Sequence, residues 1–175
     1  WRADVGRSLS DAERQHLVQR EQAIQQVREI DRDTRWKQAR DRAEEIWAKA
    51  EIVPLDHPYL ERKSVRAYGL KADSSRLVVP LRIGQTLHSL QFINATGDKR
   101  FLTGGRKKGC YHLIGEPGEV LCVAEGYATA ASIYEATGYA VAVAFDAGNL
   151  QPVGMELANR YLGARLLFCA DDDQA

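Results

Sequence analysis

The chain has 175 residues, enough for one ordinary domain or for a small domain with an attached helical segment. Lysine plus arginine and aspartate plus glutamate both number 24, so net charge points to neither an acidic nor a basic partner, and only the local sorting of charge is informative. No apolar stretch approaches the roughly 20 residues that a membrane span needs, and Cys110, Cys122 and Cys169 show neither a CxxC pair nor zinc spacing to a histidine.

In chain order, the text from about Ser10 to Ala50 is helical. Ser10 and Glu13 form an S-x-x-E capping box. Apolar residues then recur at helical spacing, with Leu17, Ile24 and Val27, then Trp36, Ala39, Ala43, Ile46 and Ala50. The other faces carry charges of both signs, and the segment reads as a packing arm or inter-domain spacer rather than a nucleic-acid contact; one long helix and two shorter ones are both open. Pro54 and Pro58 end it, and "HPYLERKSV" is a short helix with Pro58 in its first turn.

The β signals follow. "RLVVPLRI" and "LHSLQFIN" flank Gly84-Gln85-Thr86 as a hairpin. "KRFLTG" and "CYHLIG" are further short strands joined by "GGRKKG", a loop whose reading is divided between a solvated hairpin turn and a cradle for phosphate groups. It is no P-loop, because Cys110 and Tyr111 stand where Lys and Ser/Thr are required. The cations gathered here are Lys99, Arg100, Arg106, Lys107 and Lys108, against the single acid Asp98.

Near residue 116 the pattern changes. "EVLCVAEG", "YAVAVAF" and "ARLLFCADDD" are continuous apolar runs, separated by the helical "YATAASIYEATG" and "NLQPVGMELANRYLG". Strands apolar on both faces that alternate with helices predict a covered parallel sheet, hence an α/β fold. Ligands in such sheets lie beyond the carboxyl ends of the strands. All three runs end in carboxylates, at Glu125, at Asp146 and at Asp171 to Asp173. Period-two alternation would turn Asp171 and Asp173 to one side and Asp172 to the other. Carboxylates gathered this way repel one another unless a cation holds them ionised, and an all-oxygen set favours Mg2+ or Mn2+ over zinc.

"VLCVAEGYATAAS", followed by "LLFCADDD", resembles the TOPRIM module shared by bacterial primases, type IA and II topoisomerases and related nucleases. The upstream "HPYLERKSV", "RLVVPLRIGQTLHSLQFIN" and "DKRFLTGGRKKGCYHLIG" resemble, in order, the basic subdomain of DnaG-type primases, closest to those of plasmids and phages. The resemblance covers roughly residues 55 to 175. With the helical text before it as an arm over 1–52, it implies a small β-rich basic subdomain over 53–116 and a TOPRIM domain over 117–175, incomplete at its C-terminus. It further implies a DNA primase, a nucleotidyltransferase that makes RNA primers on a single-stranded DNA template from nucleoside triphosphates. Glu125, Asp171 and Asp173 become the catalytic and metal-holding acids, with proton acceptance by Glu125 a lesser role. Ala128 and Thr129 occupy the place where the primase pattern has a further aspartate, and Asp146 is the candidate replacement as a metal ligand. Lys99, Arg100 and Lys108 match basic positions of the primase subdomain and are expected to face the acidic rim, with Arg106 and Lys107 also toward nucleotide or DNA. A replicative helicase is a candidate partner, and no zinc and no membrane are expected. The chain reads as a cytoplasmic piece of a longer protein. The competing readings are a TOPRIM nuclease and a non-catalytic module that binds nucleotides or single strands.

Overall fold

The computed structural model describes residues 10–169. Helix α1 (Asp11–Lys49) leads, followed by α2 (Pro58–Lys63) and the strands β1 (Lys71–Asp73), β2 (Arg76–Ile83), β3 (Thr86–Ile93) and β4 (Lys99–Phe101). The second half runs β5 (His112–Ile114), β6 (Val120–Ala124), α3 (Tyr127–Thr137), β7 (Ala140–Val143), α4 (Ala147–Arg160) and β8 (Arg165–Cys169). Among the described residues no helix is long and apolar enough to cross a membrane.

The capping box forms. The Ser10 hydroxyl accepts from the Glu13 amide, and the Glu13 carboxylate accepts from the Ser10 amide at 2.8 Å, so two otherwise unpaired amides at the helix start are satisfied. The arm is one continuous helix, but only its C-terminal half is packed. Ala39 and Ala43, one turn apart on the same face, are buried, and Ala43 packs with Val78, Leu87 and Leu90. Leu17, Ile24 and Val27, which recur at helical spacing, are exposed.

Strands β1 to β4 form an antiparallel sheet in sequence order. Ile83 pairs with Thr86, leaving Gly84 and Gln85 as a two-residue turn in which Gly84 takes φ +58°, a conformation that favours glycine. Both faces are covered. Val78 and Leu90 meet α1, while Leu77, Val79, Leu81 and Ile93 join the core shared with the second half.

The second sheet has the order β5-β7-β6-β8, with β6, β7 and β8 mutually parallel and β5 antiparallel to β7. Side-chain alternation sorts its faces. Cys122, Ala124, Val141 and Val143 pack with Tyr127, Ala130 and Ala131 of α3, and Leu121, Val123, Ala140 and Ala142 pack with Val153 and Leu157 of α4. The expected α/β architecture is therefore present, with a sheet of three parallel strands and one antiparallel strand behind a β-rich part and a leading helix. One connection differs from the hairpin alternative. The loop "GGRKKG" passes from one sheet to the other, because β4 pairs with β3 whereas β5 pairs with β7. A bridge between Arg82 and Tyr111, with both backbone hydrogen bonds at 2.9 Å, joins the two sheets there.

Candidate functional site

The parallel strands β6 and β8 are neighbours, in the register Ala124 opposite Cys169. Glu125 follows directly on one strand, and the aspartate run follows on the other. A shared ion requires this adjacency. Asp171 and Asp173 themselves lie outside the described residues. Among the described residues no group of three or more His, Cys, Asp or Glu side chains gathers to hold a metal; Glu125 and Asp146 are the two rim carboxylates that can be placed.

The β6–β7 ladder continues past the strand ends into this rim. Ala144 donates to the Ala124 carbonyl and Phe145 to the Glu125 carbonyl, each at 2.8 Å. Phe145 adopts φ +75°, a left-handed backbone that costs a non-glycine residue roughly 1–2 kcal/mol. Its ring is buried and meets Phe101 of β4 edge-on at 6.1 Å between centroids. The sharp turn at Phe145 places Asp146 at the start of α4, where its side chain makes no cap hydrogen bond. Instead the Asp146 carboxylate is paired with the Lys107 ammonium, which also lies 5.1 Å from the Phe101 ring centroid. Asp146 therefore already has a cation, and a metal there would have to displace it.

The cations separate. The Lys99 ammonium comes within 3.6 Å of the point a Cβ would occupy on Gly126, the residue that caps α3 and follows Glu125. Arg100 alternates to the opposite face of β4, paired with Phe92 and near Asp98, and does not accompany Lys99. Asp98 is held below the usual carboxylate range by hydrogen bonds from Asn94 and Thr96, and more weakly by Arg100. Arg106 donates to the Lys108 carbonyl at 3.2 Å and lies over the Trp36 ring. Lys108 lines a cavity with Trp36, Pro152 and Met155. Of Lys99, Arg100 and Lys108, expected together at the rim, Lys99 is the one found beside Gly126. Strand alternation turns Arg100 away, and Lys108 joins a cavity between α1 and α4.

Sequence reading missed the residue that fixes this loop. Asn149, buried in the first turn of α4, accepts from the Gly109 amide at 2.8 Å. Its amide nitrogen donates to the carbonyls of Ala144, Cys110 and Lys107 at 2.8, 3.0 and 3.2 Å, sharing two hydrogens among three acceptors. An asparagine near a helix start reads in sequence as a local cap, and nothing local reveals partners some forty residues upstream. Beside it, burial pushes the Cys110 thiol up to about 12 against the opposing pull of Arg106, so this cysteine is a protonated packing group rather than a nucleophile.

Comparison with known proteins bears on the same stretch. Residues 119–175 match the Toprim domain family, a span that takes in β6, α3, β7, α4 and β8. The chain carries a Toprim domain. Its wider relatives include two proteins from Escherichia coli, each called DNA primase TraC. One is 32% identical over 151 residues, 77% of this chain and 10% of that protein. The other is 32% identical over 186 residues, 99% of this chain and 17% of that protein. The chain is thus similar over most or nearly all of its length to proteins called DNA primase TraC, while spanning less than a fifth of those relatives. No solved structure matches it.

Proposed function

We propose that the chain is the catalytic core of a DNA primase, a nucleotidyltransferase that extends short RNA primers on single-stranded DNA. The observation that carries this reading is the pairing of β6 with β8, which sets Glu125 beside the strand leading into Asp171 and Asp173, with the Lys99 ammonium at the next residue, Gly126. The donor set suits a hard divalent cation, since Glu125 and the aspartates offer oxygen alone. In this scheme Glu125, Asp171 and Asp173 hold Mg2+ or Mn2+. The chemistry such an ion supplies is charge neutralisation on the triphosphate and activation of the primer 3′ hydroxyl. Lys99, unlike Lys107, is paired with no carboxylate among the described residues, and it meets triphosphate oxygens at the start of α3, where the helix dipole adds to its charge. Lys107 and Asp146 neutralise each other and brace the rim. Residues 1–52, 53–116 and 117–175 serve as arm, basic subdomain and TOPRIM domain, and the longer protein works with a replicative helicase in the cytoplasm.

The test is primer synthesis by the full-length protein on single-stranded DNA with labelled ribonucleotides. Glu125→Gln should lower synthesis by at least about a hundredfold, on the scale of removing a charge-stabilising catalytic group, while leaving the fold and strand binding intact. Undiminished synthesis would overturn the assignment, and cleavage of the template in place of primers would favour a nuclease.

A further inference from the structure

The middle of α1 departs from the mixed charge of its surroundings. Between residues 32 and 42 it carries Arg32, Arg35, Lys37, Arg40 and Arg42 against Asp33 and Asp41. The basic loop lies alongside this segment. Arg42 donates to the Thr103 carbonyl at 2.8 Å, and a Cβ at Gly104 would stand 4.0 Å from that of Ala39. The guanidinium of Arg106 then lies 5.3 Å, and that of Arg32 4.7 Å, from the ring centroid of the partly exposed Trp36. Two cavities meet at Trp36 and Arg106. One, about 500 Å3, opens toward Lys108, Pro152 and Met155, and the other, about 160 Å3, toward Lys37, Arg40 and His88. Cations outnumber acids around both cavities, with Glu156 lining the larger and Asp33, paired with Arg32, the smaller. Burial, together with Arg106 and Arg40, keeps the His88 imidazole below its usual pKa.

We propose that Trp36, Lys37, Arg40 and Arg106 form a binding track for single-stranded DNA along α1, continuous through the basic loop with the rim at Asp146. An aromatic ring flanked by guanidinium planes presents what unpaired bases stack on, and the adjacent cations take the phosphates. A duplex hides its base faces and cannot use the ring. The loop supplies the continuity, since Arg106 touches the track while Lys107 touches Asp146. The arm is then a contact for the strand, not merely a spacer. Binding to the track does not require catalysis; only the destination of the strand, the rim, rests on the primase reading.

The experiment measures binding of the full chain to a fluorescent oligothymidylate of about 20 nucleotides across a salt series, with circular dichroism to verify that α1 persists. Lys37→Ala/Arg40→Ala should lower the slope of log affinity against log salt by about 1.4, roughly 0.7 for each cation removed. Trp36→Ala should weaken binding about tenfold at every salt concentration, and Trp36→Phe much less. Arg20→Ala/Arg28→Ala, on the exposed beginning of the helix, should behave as wild type. The track is overturned if the wild-type chain does not bind at low salt, or if both track variants match it. It is also overturned if a duplex binds as tightly as the single strand, or if polyglutamate competes as well as oligonucleotide does, which would mark the face as a protein contact. Trp36-dependent binding in a full-length protein that makes no primers would leave the track standing and remove the primase reading. Primer synthesis that is lost in Glu125→Gln but unaffected in a Trp36→Ala protein of wild-type affinity would do the reverse.

Discussion

The antiparallel sheet β1–β4 and the mixed sheet β5–β8 both bury their inner strands and expose an edge strand, β4 in one and β8 in the other, yet they do different work. In the first, strands run up and down, so their ends are shared between two edges and no single rim gathers polar groups. In the second, β6, β7 and β8 run the same way and their carboxyl ends meet on one side. Acids therefore concentrate on the parallel sheet, at Glu125 and Asp146, while Lys99 comes from the antiparallel one. Chemistry that needs both signs depends on how the sheets are held in register. Apolar packing in the shared core is non-directional. The directional contacts are the Arg82–Tyr111 backbone bridge and a seam of buried polar groups: Asn149 on the basic loop, His112 on Tyr68, and Tyr127 between Arg66 and Tyr68.

Breaking the seam should be most costly at Asn149. Asn149→Ala would leave the Gly109 amide and the carbonyls of Ala144, Cys110 and Lys107 without that partner. Chemical denaturation should show a loss of roughly 2–4 kcal/mol, and Lys107 should lose its fixed position beside Asp146. A variant as stable as wild type would mean that the seam does not set the register.

His112 gives a pH-dependent version of the same test. Its Nε2 lies 2.7 Å from the Tyr68 carbonyl, and because a carbonyl only accepts, this nitrogen carries the hydrogen. Burial lowers its pKa to about 4, more than the Tyr68 carbonyl raises it. The unfolded chain, with an ordinary imidazole, takes up a proton first as pH falls. The His112 contribution is thus fully present above about pH 6.5 and is lost progressively toward pH 4, by up to about 3 kcal/mol. Denaturation midpoints of wild type and His112→Gln between pH 7 and pH 4 should converge on acidification, and parallel curves would remove His112 from the seam.

The smallest effect sharpens the comparison from the α3 side. The Tyr127 hydroxyl donates to the Arg66 carbonyl and accepts from the Tyr68 amide, both at 2.7 Å. Tyr127→Phe keeps the packing and removes those bonds, so a loss of about 1–2 kcal/mol is expected. Thermal unfolding monitored by circular dichroism would detect it.

Much of the acidic half was legible because parallel strands leave continuous apolar runs, each stopping here at a carboxylate; β6 and β7 are buried as that pattern predicts, whereas the edge strand β8 leaves Leu167 and Phe168 exposed. The capping box at Ser10 and the turn at Gly84 were legible for the same kind of reason, since each depends on residues close in sequence. Three features were not. Whether Leu17, Ile24 and Val27 are packed depends on what α1 meets, and helical spacing is the same either way. That "GGRKKG" crosses between sheets depends on β5 finding β7, a partner nearly thirty residues further on. The role of Asn149 depends on a loop some forty residues upstream.

Local periodicity, capping and the order of apolar runs therefore determined most element types, the α/β class of the second half and the placing of Glu125 and Asp146 just after parallel strands. Tertiary structure decided which cations lie near the ends of those strands. Lys99 and Arg100 are adjacent in sequence and equal in charge, but one lies beside Gly126 and the other on the far face of β4. The pleat of a strand sends neighbours to opposite faces, and which of those faces meets the Toprim rim is fixed only when the two sheets pack together.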